Sequence, residues 1–148
     1  MIHLGWSRPS EPVNVDTARR GILAQHVQIR RLLHNARDLA DVALDGHPPS
    51  PDAVASSIGD IRATIEVHLT FEESVLVPLW NLDGPQGERR STRMLDEHRR
   101  QRELMAALHR EAMAHPHLPI LSAKLAFLAT WLLADMTEEE KTLTGDPL

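Results

Sequence analysis

Apolar and polar positions alternate along this chain in steps of three and four, and the pattern breaks at three places. The breaks are Gly46-His47-Pro48-Pro49-Ser50-Pro51, Gly84-Pro85-Gln86-Gly87 and His115-Pro116-His117-Leu118-Pro119. They leave four segments, roughly 16–45, 52–80, 87–114 and 118–144, each too long for a strand and each with helical spacing. Ser50, Pro51 and Asp52 read as a helix start: a capping hydroxyl, a proline in the first turn and an acid at the positive end of the dipole. Pro78 should end or kink the second helix. Links this short favour antiparallel neighbours. The predicted fold is therefore all-α, an antiparallel up-down-up-down four-helix bundle over residues 16–148. Residues 1–15 form an N-terminal arm, with Trp6 as the residue to pack it on the bundle. No internal repeat, low-complexity tract or second domain stands out.

The inward seams can be read directly from that spacing. In the first segment the seam is Ile22, His26, Ile29, Leu33, Ala36, Ala40, and in the second Ile58, Ile61, Ile65, His68, Glu72, Val75, Leu79. In the third it is Met94, His98, Gln101, Met105, Leu108, Ala112, and in the fourth Leu121, Leu125, Leu128, Leu132, Asp135, Glu139, Thr142. His26, His68, Glu72, His98, Asp135 and Glu139 interrupt these apolar runs. Burying such groups without partners costs roughly several kcal/mol each. His68–Glu72 and Asp135–Glu139 are each one turn apart on one helix face.

The six also share a level. With ~1.5 Å of rise per residue, His26 and His98 lie ~15 Å after the starts of their helices. His68 and Glu72 lie ~18 and ~12 Å before the end of theirs, and Asp135 and Glu139 fall at a comparable height. In antiparallel helices the starts of the first and third sit beside the ends of the second and fourth. All six groups should meet in one slab of the interior, where a cation would compensate them.

Composition narrows the chemistry. Of 148 residues 42% are apolar and 25% charged, the balance of one globular domain. A net charge of -5 disfavours a general nucleic-acid partner. The absence of cysteine excludes disulfides, thiolate zinc sites, iron–sulfur clusters and cysteine nucleophiles, and fits a cytoplasmic protein. No apolar run approaches the ~20 residues of a membrane span, and residues 1–15 show no secretory signal. Of the nine histidines, His34, His47, His109, His115 and His117 read as surface or loop residues. The arginines of the third segment alternate with acids and read as a solvated, ion-paired face.

The ordered set resembles the hemerythrin-like family of HHE cation-binding bundles. The matching positions are His26 in Ala-Gln-His-Val-Gln-Ile-Arg-Arg-Leu-Leu, His68 and Glu72 in His-Leu-Thr-Phe-Glu-Glu, His98 in Asp-Glu-His-Arg-Arg-Gln-Arg-Glu, and Glu139 in Asp-Met-Thr-Glu-Glu-Glu. Val77-Pro78-Leu79 also looks familial, and the likeness covers nearly all of the chain after residue 16. The resemblance implies a non-haem di-iron site, with Glu72 and Glu139 as bridging or terminal carboxylates and the histidines as terminal ligands. Imidazole and carboxylate donors suit iron, with zinc and manganese as competitors. Family members bind oxygen or nitric oxide, sense oxygen or iron, or act on peroxide, so the implied partner is a small diatomic or peroxide ligand; a protein partner is not indicated.

Two positions depart from the family. Asp135 stands where a histidine is usual, and Arg102 stands four residues after His98, where long-known hemerythrins have another histidine that many bacterial relatives lack. Asp135 reads equally as a ligand, as helix surface or as the partner of Arg102. A guanidinium paired with Asp135 or Glu139 would replace a metal's charge. One metal or none are therefore alternatives to two, and a metal-free bundle acting as an interaction or regulatory module is the competing function. A di-iron oxidase, a third reading, needs a substrate pocket. Glu73 and Glu140, one step past the ligand positions, are expected to support the ligands or face solvent.

Overall fold

The computed structural model describes residues 14–46, 49–114 and 117–145. Four helices account for almost all of them: α1 (Val15–Leu44), α2 (Pro51–Asn81), α3 (Pro85–Met113) and α4 (Leu118–Gly145). No strand occurs among the described residues. The start of the expected N-terminal arm, including Trp6, lies outside them.

Each helix begins where the local chemistry permits. Asn14 Oδ1 accepts from the Asp16 amide at 2.9 Å, and Ser50 Oγ from the Ala53 amide at 3.1 Å, satisfying amides left open by the first turn. Pro51 occupies the first turn of α2 and Asp52 follows, as predicted. Pro78 does not end α2; the helix runs on to Asn81, close enough to its end for the lost amide to disrupt little. The α2–α3 turn needs glycine twice. Gly84 has φ +69°, and a Cβ on Gly87 would overlap the Trp80 carbonyl oxygen.

α1 packs along both α2 and α4, and α2 packs along α3, whereas α3 and α4 approach closely at few points. That is an antiparallel ring with one loose seam. The core follows the predicted faces of α1 and α3 throughout, and that of α2 from Ile58 to Val75, with Leu79 only half-buried. In α4 the seam is displaced. Met136 and Leu143 are buried, whereas Asp135 is half-buried and Thr142 exposed. After Leu132 the step is four rather than three: at 3.6 residues per turn a strict heptad drifts off the face, and thioether and leucine side chains fill the interior better than carboxyl and hydroxyl groups.

The apolar core is not continuous. A large cluster runs from Ile29 and Leu33 through Ile58, Ile61, Met105, Leu121, Leu125, Leu128 and Met136. A smaller one comprises Ala18, Ile22, Val75, Leu76, Met94 and Leu143. His26 falls between Ile22 and Ile29, Glu72 between Leu69 and Val75, and Glu139 between Met136 and Leu143. The polar slab is thus sandwiched between two apolar layers.

A further sequence expectation concerns α4. By length and composition α4, over Leu118–Leu143, is apolar enough to cross a membrane. Here its apolar side, Leu121, Leu125, Leu128, Leu132 and Met136, forms the bundle core.

Gly87→Ala should destabilise the fold by about 1–3 kcal/mol, because the backbone of the α2–α3 turn has to move to admit a methyl group. The denaturant midpoint measures this, and an unchanged midpoint would contradict the close approach.

Candidate metal centre

Helical spacing carries each polar side chain to the slab, and burial then defines what it does there. His26 and Glu72 are essentially inaccessible, and His68 and His98 nearly so. His26 Nε2 lies 3.2 Å from His68 Nε2, 3.3 Å from Glu139 Oε1 and 3.8 Å from Glu72 Oε1. His68 Nε2 is 2.6 Å from Glu72 Oε1, and His98 Nε2 is 3.2 Å from Glu72 Oε2. One donor atom each from His26, His68, Glu72 and Glu139 falls within a mutual 4.8 Å. Glu72 therefore faces two ways, one oxygen to the four-donor cluster and the other to His98.

The outer nitrogens of the rings are all engaged. His26 Nδ1 is 3.0 Å from Glu140 Oε1, His68 Nδ1 2.7 Å from Gln25 Oε1, and His98 Nδ1 3.0 Å from Glu73 Oε1. An ionised carboxylate or an amide oxygen only accepts, so Nδ1 carries the proton in each ring. Every Nε2 is left pointing inward, the arrangement of a ring ready to ligate, with its orientation set by the group behind it.

The electrostatics of the cluster are strained. Burial opposes charge on His26, but Glu139, Glu72 and Glu140 outweigh it and raise its pKa to about 10. Burial likewise opposes charge on His98, and Glu72 with Glu73 raises its pKa. Glu72, despite its burial, is held well below the usual carboxylate range by His26, His68 and His98. Glu139 shows the opposite behaviour: burial, then the neighbouring Glu72 carboxylate, pushes its pKa up to about 8 even though His26 stands beside it. Arg30 holds Glu140 down to about 2. Burial works against ionisation of Glu73, but Arg102 and His98 outweigh it and lower its pKa.

Two carboxylate oxygens, Glu72 Oε1 and Glu139 Oε1, are buried without a hydrogen-bond partner among the described residues. Such groups are rare in native interiors because each forfeits its hydration. Both face His26 Nε2, and Glu72 Oε1 faces His68 Nε2 as well. Two imidazole nitrogens and two carboxylate oxygens, aimed at one point and short of donors, fit a divalent first-row cation.

The six predicted residues do not all behave alike. His26, His68, Glu72 and Glu139 come together as one cluster, and His98 joins it through Glu72. Asp135 stands aside, its Oδ2 accepting from Gln101 Nε2 at 2.9 Å. The alternative pairing of Arg102 with Asp135 or Glu139 does not occur. Arg102 bonds Glu66 through Nε at 2.8 Å and Glu73 through its terminal nitrogens at 2.6 and 3.2 Å. Its position on α3 sets it over α2, not α4. Glu73 and Glu140, which the sequence left between supporting the ligands and facing solvent, stand behind the histidine rings. Sequence reading missed Gln25 and Arg30; Arg30, four residues after His26, repeats the spacing of Arg102 after His98. His34 and His117 are exposed and His109 is half-buried beside Arg62, while His47 and His115 lie outside the described residues.

A cavity of about 230 Å³ leads to this centre where α3 and α4 separate. Glu72, His98, Asp135 and Glu139 reach its wall, and Leu76, Trp80, Met94 and Leu143 supply apolar lining. Arg90 lies 4.8 Å from the Trp80 ring centroid, a cation–π contact on the same lining.

The family model described as the hemerythrin HHE cation binding domain matches residues 17–145. No curated protein and no solved structure matches significantly.

Removing metal exposes the titration of the cluster. The protons retained by His26 up to about 10 and by Glu139 up to about 8 are bound more tightly in the folded state than in the unfolded chain. Their stabilisation is complete below the unfolded values, 6.5 and 4.5, and disappears as pH rises through the folded ones. The melting temperature of chelator-treated protein should fall between pH 6.5 and pH 10. A melting temperature that climbs over that range would show that the buried cluster holds no extra protons.

Proposed function

Because the chain belongs to the hemerythrin HHE cation-binding family, we propose that it holds iron among His26, His68, Glu72 and Glu139 and presents it to oxygen, nitric oxide or peroxide. The observation that carries the reading is the pair of buried oxygens, Glu72 Oε1 and Glu139 Oε1, that have no hydrogen-bond partner among the described residues. Iron held there would supply redox chemistry toward a small ligand. The protein's own contribution is orientation and exclusion of water. Glu140, Gln25 and Glu73 hold protons on the outer ring nitrogens, and the apolar layers on either side keep the donors dry.

A second iron would use His98 Nε2 and Glu72 Oε2, with Asp135 and Glu139 on the same cavity wall. That position has one imidazole where the first has two, so it is the weaker of the pair. The cavity between α3 and α4 supports ligand entry on this side. The metal-free interaction module loses the Arg102–Asp135 ion pair that was to hold its site closed, since Arg102 turns to Glu66 and Glu73.

Protein expressed in iron-rich medium should carry iron and absorb in the near ultraviolet by charge transfer from its ligands. His68→Ala and Glu72→Ala should each abolish both. Negligible metal in the unmodified protein would reject the reading.

Chelation gives a separate check. A cation present at ~100 times its dissociation constant stabilises by ~2.7 kcal/mol. Stripping it at pH 7 should lower the melting temperature by roughly 5–10 °C in a chain of this size. Calorimetry with and without chelator reads the difference, and coincident curves would count against a bound cation.

A further inference from the structure

The chemistry-bearing positions repeat within the chain, although its sequence as a whole shows no repeat. His26 is followed four residues later by Arg30 in α1, and His98 four residues later by Arg102 in α3. His68 precedes Glu72-Glu73 in α2, and Asp135 precedes Glu139-Glu140 in α4, each four residues before the first glutamate. The two halves of the bundle, α1–α2 and α3–α4, therefore present the same set with one exchange, His68 against Asp135.

The contacts repeat with the spacing. Glu140 Oε1 takes both the His26 ring, 3.0 Å from Nδ1, and Arg30 Nη1, while Glu140 Oε2 accepts from Arg30 Nη2 at 2.8 Å. Glu73 Oε1 likewise takes the His98 ring, 3.0 Å from Nδ1, and Arg102 Nη1 at 2.6 Å, while Glu73 Oε2 accepts from Arg102 Nη2 at 3.2 Å. Exposure is matched as well. The arginines are 31% and 30% exposed and the carboxylates 24% and 22%, over rings at 0% and 5%. Each chain of contacts thus runs from the solvent edge to the buried centre. One joins α1 to α4, the other α3 to α2.

We propose that Arg30 and Arg102 are a pair of positioning residues, each clamping a glutamate that fixes the proton on Nδ1 of one histidine and aims its Nε2 at the cation. The inference rests on the cation reading above. An exposed ion pair alone would be worth little. A two-pronged guanidinium differs from one in that it fixes both oxygens of the carboxylate, leaving the histidine a single acceptor at a single place. Arg102 is on this view no vestige of a lost ligand. It does for His98 what Arg30 does for His26, and a second contact to Glu66 at 2.8 Å holds it in place.

The test uses the full chain, stripped of metal, with zinc as a diamagnetic probe. Arg30→Gln, Arg102→Gln and the two Arg→Lys variants are compared by chelator-competition affinity and by nuclear magnetic resonance of histidine-labelled protein. Each Gln variant should weaken zinc binding by ~10–100-fold. Arg30→Gln should displace the Nδ1–H signal of His26 alone, and Arg102→Gln that of His98 alone. Lysine, which keeps the charge without the fork, should recover part of the loss. Unmoved signals with unmodified zinc affinity would overturn the proposal and leave the cation reading intact. Both histidines disturbed equally by either variant would also overturn it, since that marks general loosening of the bundle. If the unmodified chain takes up no zinc while each variant still shifts only its own histidine, the cation reading fails and the clamps stand.

Discussion

Everything in this molecule is arranged around carboxylates that have been taken out of water. Glu72 is almost completely buried, Glu139 directs a buried oxygen at the same point, and those oxygens face only imidazole nitrogens among the described residues. Without a cation the cluster falls back on protons: His26 keeps its charge, and Glu139 stays neutral well past the range in which a carboxyl group ionises. A proton is a poor substitute for a metal ion here, since it satisfies one or two of the inward atoms and leaves the rest facing each other. Burial, charge and geometry at this point therefore all suit a cation.

The rest of the bundle keeps that centre rigid. The apolar layers above and below exclude water, and the supports behind the rings come from helices other than the rings' own: α4 behind His26, α1 behind His68, α2 behind His98. Each such contact ties two helices together at the level of the site, so the interactions that aim the ligands also close the bundle. The exception is the α3–α4 seam. It is loosely packed, Asp135 there is held by Gln101, and the cavity opens at this point.

Much of this was legible in the sequence. Helix number, boundaries to within two residues and the shared height of the polar groups follow from proline, glycine and the three-and-four spacing, because a helix has one rise and one period. What escaped was azimuth. Steps of three and four give the same average over a heptad, and the difference decided Asp135 against Met136 and Thr142 against Leu143 in α4. Partner choice escaped as well. An Arg102 pair with a carboxylate on α4 stood as an alternative, but the reach of a side chain depends on which neighbouring helix it faces, and spacing along one chain does not contain that. Arg30 and Gln25 were overlooked for a different reason: both stand beside the seam, and a search for buried polar residues passes over the half-exposed ones that support them.

The division of the core has a consequence for how occupancy is communicated. The smaller apolar layer joins the start of α1, the end of α2, the start of α3 and the end of α4, and has few buried side chains of its own. It is joined to the larger layer across the slab of ligands. An end so slightly supported is the first to fray when the middle loosens. A cation tying the two layers together would therefore matter most at the pole where α1 begins and α4 ends, since that is where so few apolar contacts hold the helices.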